Sequence, residues 1–361
     1  MWGQRQLVLI YNAINAWTNQ NENDFWRIIL ANSERRRARL ATYYTEEYKV
    51  EQQESIITPW QYKFGSALEF GIDGRPRPDR PFVFTIFSNF IGERLCRVPF
   101  SVFSLTESNA THAELKVKGQ ALTLLNENSR LVEQSHLESK IRQNLYNSKL
   151  AIYSVATHCL ANCIELDEVL KAYELSSALA TFCLNLSKTL FDSLIEPEEF
   201  SIWQDRTKSL KELADPGFAF LTIAKRAPKY HNSLSVEDWL TDALINAGLP
   251  DLETIHNLAY TQMQELEYEI LDGRYSNKLR LLLSIGRYNF VQRGIWGQNT
   301  LSMENLLQTT MQLPPVVLGD QFVVPVTSKS IQFRPDEMDQ WIDEIINIEA
   351  SLDRFIQACR F

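Results

Sequence analysis

A chain of 361 residues with 45% hydrophobic and 22% charged side chains, and only 13 glycines and 13 prolines, excludes a disordered or low-complexity protein. No stretch approaches ~20 consecutive apolar residues, so no membrane span is expected. The formal net charge of −9 is uneven: residues 1–126 carry 15 basic and 13 acidic side chains, residues 127–361 carry 21 and 32. An acidic balance excludes a general polyanion binder and confines any nucleic-acid contact to local patches.

From the N-terminus, Leu7, Ile10, Tyr11, Ile14 and Trp17 recur at helical spacing. A second helical segment runs from about Asn23 to Lys49, so residues 1–54 read as a helical hairpin. Residues 55–126 read as an antiparallel β region. Aromatic and β-branched residues gather at Tyr62 to Phe70, Pro81 to Phe87 and Val98 to Leu105, and apolar and polar residues alternate over Ala113 to Lys118 and Gln120 to Leu125. Within it, Asp73 to Arg80 reads as a loop because of its prolines and glycine.

Residues 127–273 read as a helical bundle. Ser129 is placed to cap a helix whose Leu137, Ile141, Leu145, Ser148 and Ile152 share a face, and the apolar run from Tyr146 to Leu194 belongs at the centre of the bundle. A helix from Pro197 through Trp203 to Leu213 is expected to stop at Asp215-Pro216-Gly217. Ser235-Val236-Glu237-Asp238 is a capping-box signature before a helix ending at Ala247-Gly248, and Pro250-Asp251 opens the next.

Residues 274–361 combine a basic segment, a hairpin near 316–333 turning at Gly319-Asp320, and a terminal amphipathic helix. The expected fold is α+β and predominantly helical: an antiparallel sheet (about 56–125, completed by the hairpin near 316–333) packed with a helical bundle.

No phosphate loop, dinucleotide fingerprint, His-Glu-x-x-His, Cys-x-x-Cys or Gly-x-Ser-x-Gly elbow occurs. Glu-x-x-His occurs twice, at Glu133/His136 and Glu253/His256, the spacing with which a bundle holds a di-iron or di-manganese centre. Glu165, Glu168, Glu174, Glu198 and Glu199 are the available further ligands. Helical phase opposes this, since His136 falls roughly 140° from the centre of the Leu137/Ile141/Leu145 face. His158, Cys159 and Cys163, with Asp167 one turn on, offer soft metal ligands on an apolar helix, where burial is the simpler expectation.

The positive lead is a basic island. Arg274, Lys278, Arg280, Arg287 and Arg293 occur without an acid between them, interleaved with Tyr288 and leading to Trp296. Arginine holds phosphate bidentately and aromatic rings stack on bases. Arg35, Arg36, Arg37 and Arg39 form a second patch, and Arg75, Arg77 and Arg80 a third. Seven acids between Asp336 and Asp353 offer these arginines an internal alternative partner.

The five cysteines, an odd and scattered set, read as reduced thiols, and the residues after Met1 lack a secretory h-region, so a cytoplasmic protein is expected. The sequence therefore reads as a non-catalytic binding or assembly subunit of a multi-subunit complex, without a cofactor. Protein partners are expected, with nucleic acid reached through local basic patches. The alternative is an oxidase using iron or manganese at Glu133, His136, Glu253 and His256.

Overall fold

The computed structural model describes residues 44–48, 60–70, 75–203 and 205–269, with Phe290, Val316–Val317 and Val323–Val324. Strands β1 (Glu46–Glu47), β2 (Gln61–Phe70), β3 (Pro76–Ser88) and β4 (Arg94–Phe100) form an antiparallel sheet in the order β1-β4-β3-β2. The register sets Thr85 between Phe64 and Val98. Val83, Thr85 and Phe87 of β3 therefore share a face with Cys96, Val98 and Phe100 of β4, and all six are fully buried.

Helices α1 (Val102–Thr123) and α2 (Glu127–Leu145) are followed by α3 (Ala151–Cys163), α4 (Val169–Leu184), α5 (Asp205–Glu212), α6 (Pro216–Arg226), α7 (Val236–Asn246) and α8 (Leu252–Glu269). Helix α3 lies on β4, α6 meets both β3 and α3, and α4 packs on α1, α3 and α6. One core cluster extends from Trp60 through these helices to Ile255. The fold is thus α+β and predominantly helical, and the apolar run from residue 146 onward does form the centre of the bundle.

Small hydroxyl residues let α1, α3 and α4 approach closely. Ser108 Oγ lies 3.5 Å from Ser176 Oγ, which is 2.9 Å from Thr157 Oγ1 and donates to the Tyr173 carbonyl at 3.1 Å. These buried polar atoms satisfy one another inside an apolar core.

Six expectations change. The sheet ends at Phe100 rather than near 125, because residues 102–123 are helical. Glu114-Leu115-Lys116-Val117-Lys118 alternates like a strand, but its residues are mostly good helix formers, and the α1 N-terminus is set at Ser101, whose N–H donates to Ser104 Oγ at 2.8 Å. Residues 76–80 are strand, not loop. β4 pairs only from Val83 onward, so Pro76 and Pro78 occupy an edge where no N–H is required. Glu46–Glu47 is a strand on β4, closing the sheet where helix to Lys49 was expected.

In the late segment Val316 pairs antiparallel with Val324 and Val317 with Val323, and among the described residues this two-stranded sheet does not join the first, which it was expected to complete. Finally, residues 198–213 form a 3₁₀ turn (Glu198–Trp203) and the short α5 rather than one helix. Asp215 starts a helix: its carboxylate accepts from the Phe218 N–H at 2.7 Å, with Pro216 in the first turn of α6. The cap of α2 likewise moves from Ser129 to Asn126, which accepts from the Ser129 N–H at 3.0 Å.

The Ser235 cap forms as expected. Its hydroxyl accepts from the Asp238 N–H at 3.0 Å and donates to the Asp238 carboxylate at 2.7 Å, so the acid answers the side chain. Helix α7 ends at Gly248, whose φ of +83° allows the Leu249 N–H to reach the Leu244 carbonyl at 3.0 Å. A Cβ there would lie 2.6 Å from Ile195 Cγ1 and 2.7 Å from the Ser193 carbonyl. Gly248→Ala is expected to cost ~2–3 kcal/mol from backbone strain and overpacking, read as a lower urea midpoint at unchanged m-value.

Candidate functional site

Arg35, Arg36, Arg37, Arg39, Arg280, Arg287, Tyr288, Arg293 and Trp296 lie outside the described residues. The two Glu-x-x-His pairs lie on described helices and do not converge: among the described residues no group of three or more His, Cys, Asp or Glu side chains could hold a metal ion. Glu133 and His136 are exposed on α2, while Ile141 and Leu145 are buried, in agreement with the helical phase. Glu253 is exposed, and the half-buried His256 ring stacks on Phe290 at 4.4 Å and 14°. Of the further glutamates, Glu165 pairs with Lys229, Glu174 with Lys171 and Glu199 with Lys225.

The soft-ligand cluster is part of the core. His158 is enclosed by rings, stacked on Trp60 at 5.3 Å with Phe87 at 5.2 Å and Tyr146 at 5.1 Å. Its Nε2 is 2.7 Å from the Leu145 carbonyl, so that nitrogen carries the proton. Burial pulls the imidazole down to about 4, against a weaker upward pull from that hydrogen bond, and the ring is neutral at physiological pH. Cys159 lies against Thr85 Oγ1 at 3.5 Å, and Cys163 against the Tyr62 hydroxyl at 3.6 Å. Burial pushes the Cys163 thiol up to about 11, which keeps it protonated at neutral pH.

Two surfaces stand out from this packed body. The first is the α1–α2 hairpin, whose helices of 22 and 19 residues extend ~33 and ~28 Å. Among the described residues its buried side chains lie toward the base: Ser104, Leu105 and Ser108 of α1 are buried, and Ile141 and Leu145 of α2 cluster with Tyr173 of α4, with Leu115 and Leu137 packed against them. Toward the turn, apolar side chains face solvent, with Leu124 86%, Leu131 61% and Val132 55% exposed beside exposed Val117 and Leu125. Residues 113–140 carry four basic and four acidic side chains, so the arm is neutral on an acidic chain. A sequence signal existed: Leu124-Leu125 and Leu131-Val132 are adjacent apolar pairs near a turn, where one helix face cannot bury both members.

The second is the outer end of the β2–β3 hairpin. Beyond the β4 pairing, residues 75–79 are exposed, as is Phe70 at 50%. Arg77 grips Asp79 through Nε at 3.0 Å and a terminal nitrogen at 3.1 Å, and Arg80 lies 3.9 Å from the same carboxylate. Two arginines of the third basic patch thus share one acid.

A pocket of about 530 Å³ opens where the C-terminal end of α2 meets α3 and the turn into α4. Arg142, Glu165 and Asp167 bring charge to it, Tyr146, His158 and Asn162 uncharged polar groups, and Leu166 and Val169 apolar surface. Among the described residues no helix is long and apolar enough to cross a membrane. The sequence matches no protein-family model, and comparison with curated proteins and with solved structures yields no match.

Proposed function

We propose that this protein is a non-catalytic assembly subunit of a cytoplasmic complex that engages a protein partner through the α1–α2 arm. The observation that carries the reading is the exposed apolar end of that arm: Leu124, Leu131 and Val132 present large apolar area at the tip of a helical hairpin whose buried side chains, among the described residues, lie toward its base. Apolar residues rimmed by charge mark protein interfaces more than catalytic clefts. The balanced charge of residues 113–140 suits a protein surface better than a polyanion.

The test is purification of the tagged native complex beside the triple variant Leu124→Asp, Leu131→Asp, Val132→Asp. The variant is expected to lose its stoichiometric protein partner, with affinity reduced at least ~100-fold, at a melting temperature within ~2 °C of the parent because these side chains already face water. An undiminished complex would overturn the reading.

A nucleic-acid contact within the same complex is favoured by the arginine-bearing end of the β2–β3 hairpin, where Phe70 is an exposed ring, and by the arginine-aromatic sequence from Arg280 to Trp296. Affinity for single-stranded DNA or RNA should then fall steeply with salt, and charge reversal at Arg77, Arg287 and Arg293 should abolish it. Absence of binding at low salt leaves the protein partner alone.

A further inference from the structure

We propose that the pocket between α2, α3 and α4 binds a small zwitterion of the α-amino-acid type with an apolar side chain. Arg142 and Asp167 line the same pocket, and both act electrostatically on the Tyr146 hydroxyl between them in the sequence, Arg142 favouring its ionised form and Asp167 opposing it. Among the described residues neither forms a salt bridge, whereas neighbouring Glu165 is already taken by Lys229. A cation and an anion that line one pocket without pairing with each other complement a ligand that carries both signs.

The remaining lining fits that ligand. Asn162 Nδ2 donates to the His158 carbonyl at 2.7 Å, which leaves its amide oxygen to accept from an ammonium group beside Asp167. His158, kept neutral by burial, adds a ring whose Nε2–H is committed to Leu145. Leu166 and Val169 supply apolar wall, and a volume of about 530 Å³ accommodates a large side chain as well as the charged end. A simple anion would meet Arg142 but also two carboxylates. A simple cation would leave Arg142 unanswered. Only the zwitterion satisfies both.

The test uses calorimetric titration of the intact protein with L-phenylalanine, L-leucine and L-methionine. N-acetyl-L-phenylalanine, which lacks the ammonium, and phenethylamine, which lacks the carboxylate, serve as half-ligands. At least one amino acid is expected to bind with a Kd below about 1 mM, and each half-ligand of phenylalanine about tenfold or more weakly than the parent. Arg142→Gln should weaken phenylalanine and its N-acetyl derivative but not phenethylamine, and Asp167→Asn should weaken phenylalanine and phenethylamine but not the N-acetyl derivative. Both side chains are exposed, so neither variant should shift the melting curve. No binding of any of the three amino acids up to about 10 mM, or binding indifferent to both substitutions, overturns the proposal.

Discussion

Gly217→Ala is expected to destabilise the protein by ~3–5 kcal/mol. Gly217 lies in the first turn of α6, directly against the end of β4. A Cβ built on it falls 2.2 Å from the Phe100 carbonyl oxygen and 2.8 Å from its carbon. Those atoms are backbone, so no rotamer change relieves the clash. Either α6 retreats from the sheet or β4 bends. Retreat would open the contact between Phe100 and Phe220, whose ring centroids are 5.1 Å apart, and would pull the Asp215 cap from its position. Gly119 is the control: it also sits in a helix, but an added Cβ meets nothing within 4 Å, so Gly119→Ala should gain ~0.5–1 kcal/mol from helix propensity. Urea denaturation of the two variants gives the comparison directly. A Gly217→Ala protein as stable as the parent would mean that α6 and β4 do not meet as described.

The parts of this fold that were legible in the sequence are those decided locally. The Ser235 cap and the Gly248 stop depend on residues three or four positions apart, and both formed where expected. The apolar run through α3 and α4 was legible because a helix that is apolar over most of its circumference has only one place to go. Residues 114–118 misled because their alternation is compatible with a strand, while the helix is chosen by the packing of the segment before them on α3 and α4. Pro76 and Pro78 misled for a related reason: a proline excludes a central strand, yet whether a strand is central at that point depends on where β4 ends, at Phe100, information held more than about 20 residues later. Among candidate site residues, the outward phase of His136 could be worked out from Leu137, Ile141 and Leu145. That Arg142 and Asp167 line one pocket could not, because the connection between α2 and α3 and the turn into α4 place them there.

Between about pH 4 and 6 the contributions of His158 and Asp215 to the pH dependence of stability should nearly cancel in the parent protein, and removing either one should tilt the dependence in opposite directions. His158 is buried in its ring of aromatic side chains and held down to about 4 from an ordinary value of 6.5. Between those values the unfolded chain binds a proton that the folded protein refuses, so the His158 contribution is complete above pH 6.5 and is lost as pH falls toward 4. The shift corresponds to ~3 kcal/mol. Asp215 runs the other way. Burial of its carboxyl, opposed by the Phe218 and Gly217 N–H groups and assisted by Glu69, raises it from 3.8 to about 6. In that window the folded protein holds a proton that the unfolded chain releases, so its contribution is present below pH 3.8 and is lost, again by ~3 kcal/mol, as pH rises through 6. Each substitution exposes the other slope. Asp215→Asn keeps a helix cap but no longer titrates, so relative to the parent it should lose ~3 kcal/mol on acidification from pH 6 to 4. His158→Gln keeps a donor for the Leu145 carbonyl and should gain a similar amount relative to the parent over pH 6.5 to 4. Taking each variant as a difference from the parent at the same pH removes the common titration of all other carboxylates. Urea midpoints at four pH values suffice, and difference curves flat for both variants would show that neither side chain is held in the environment described.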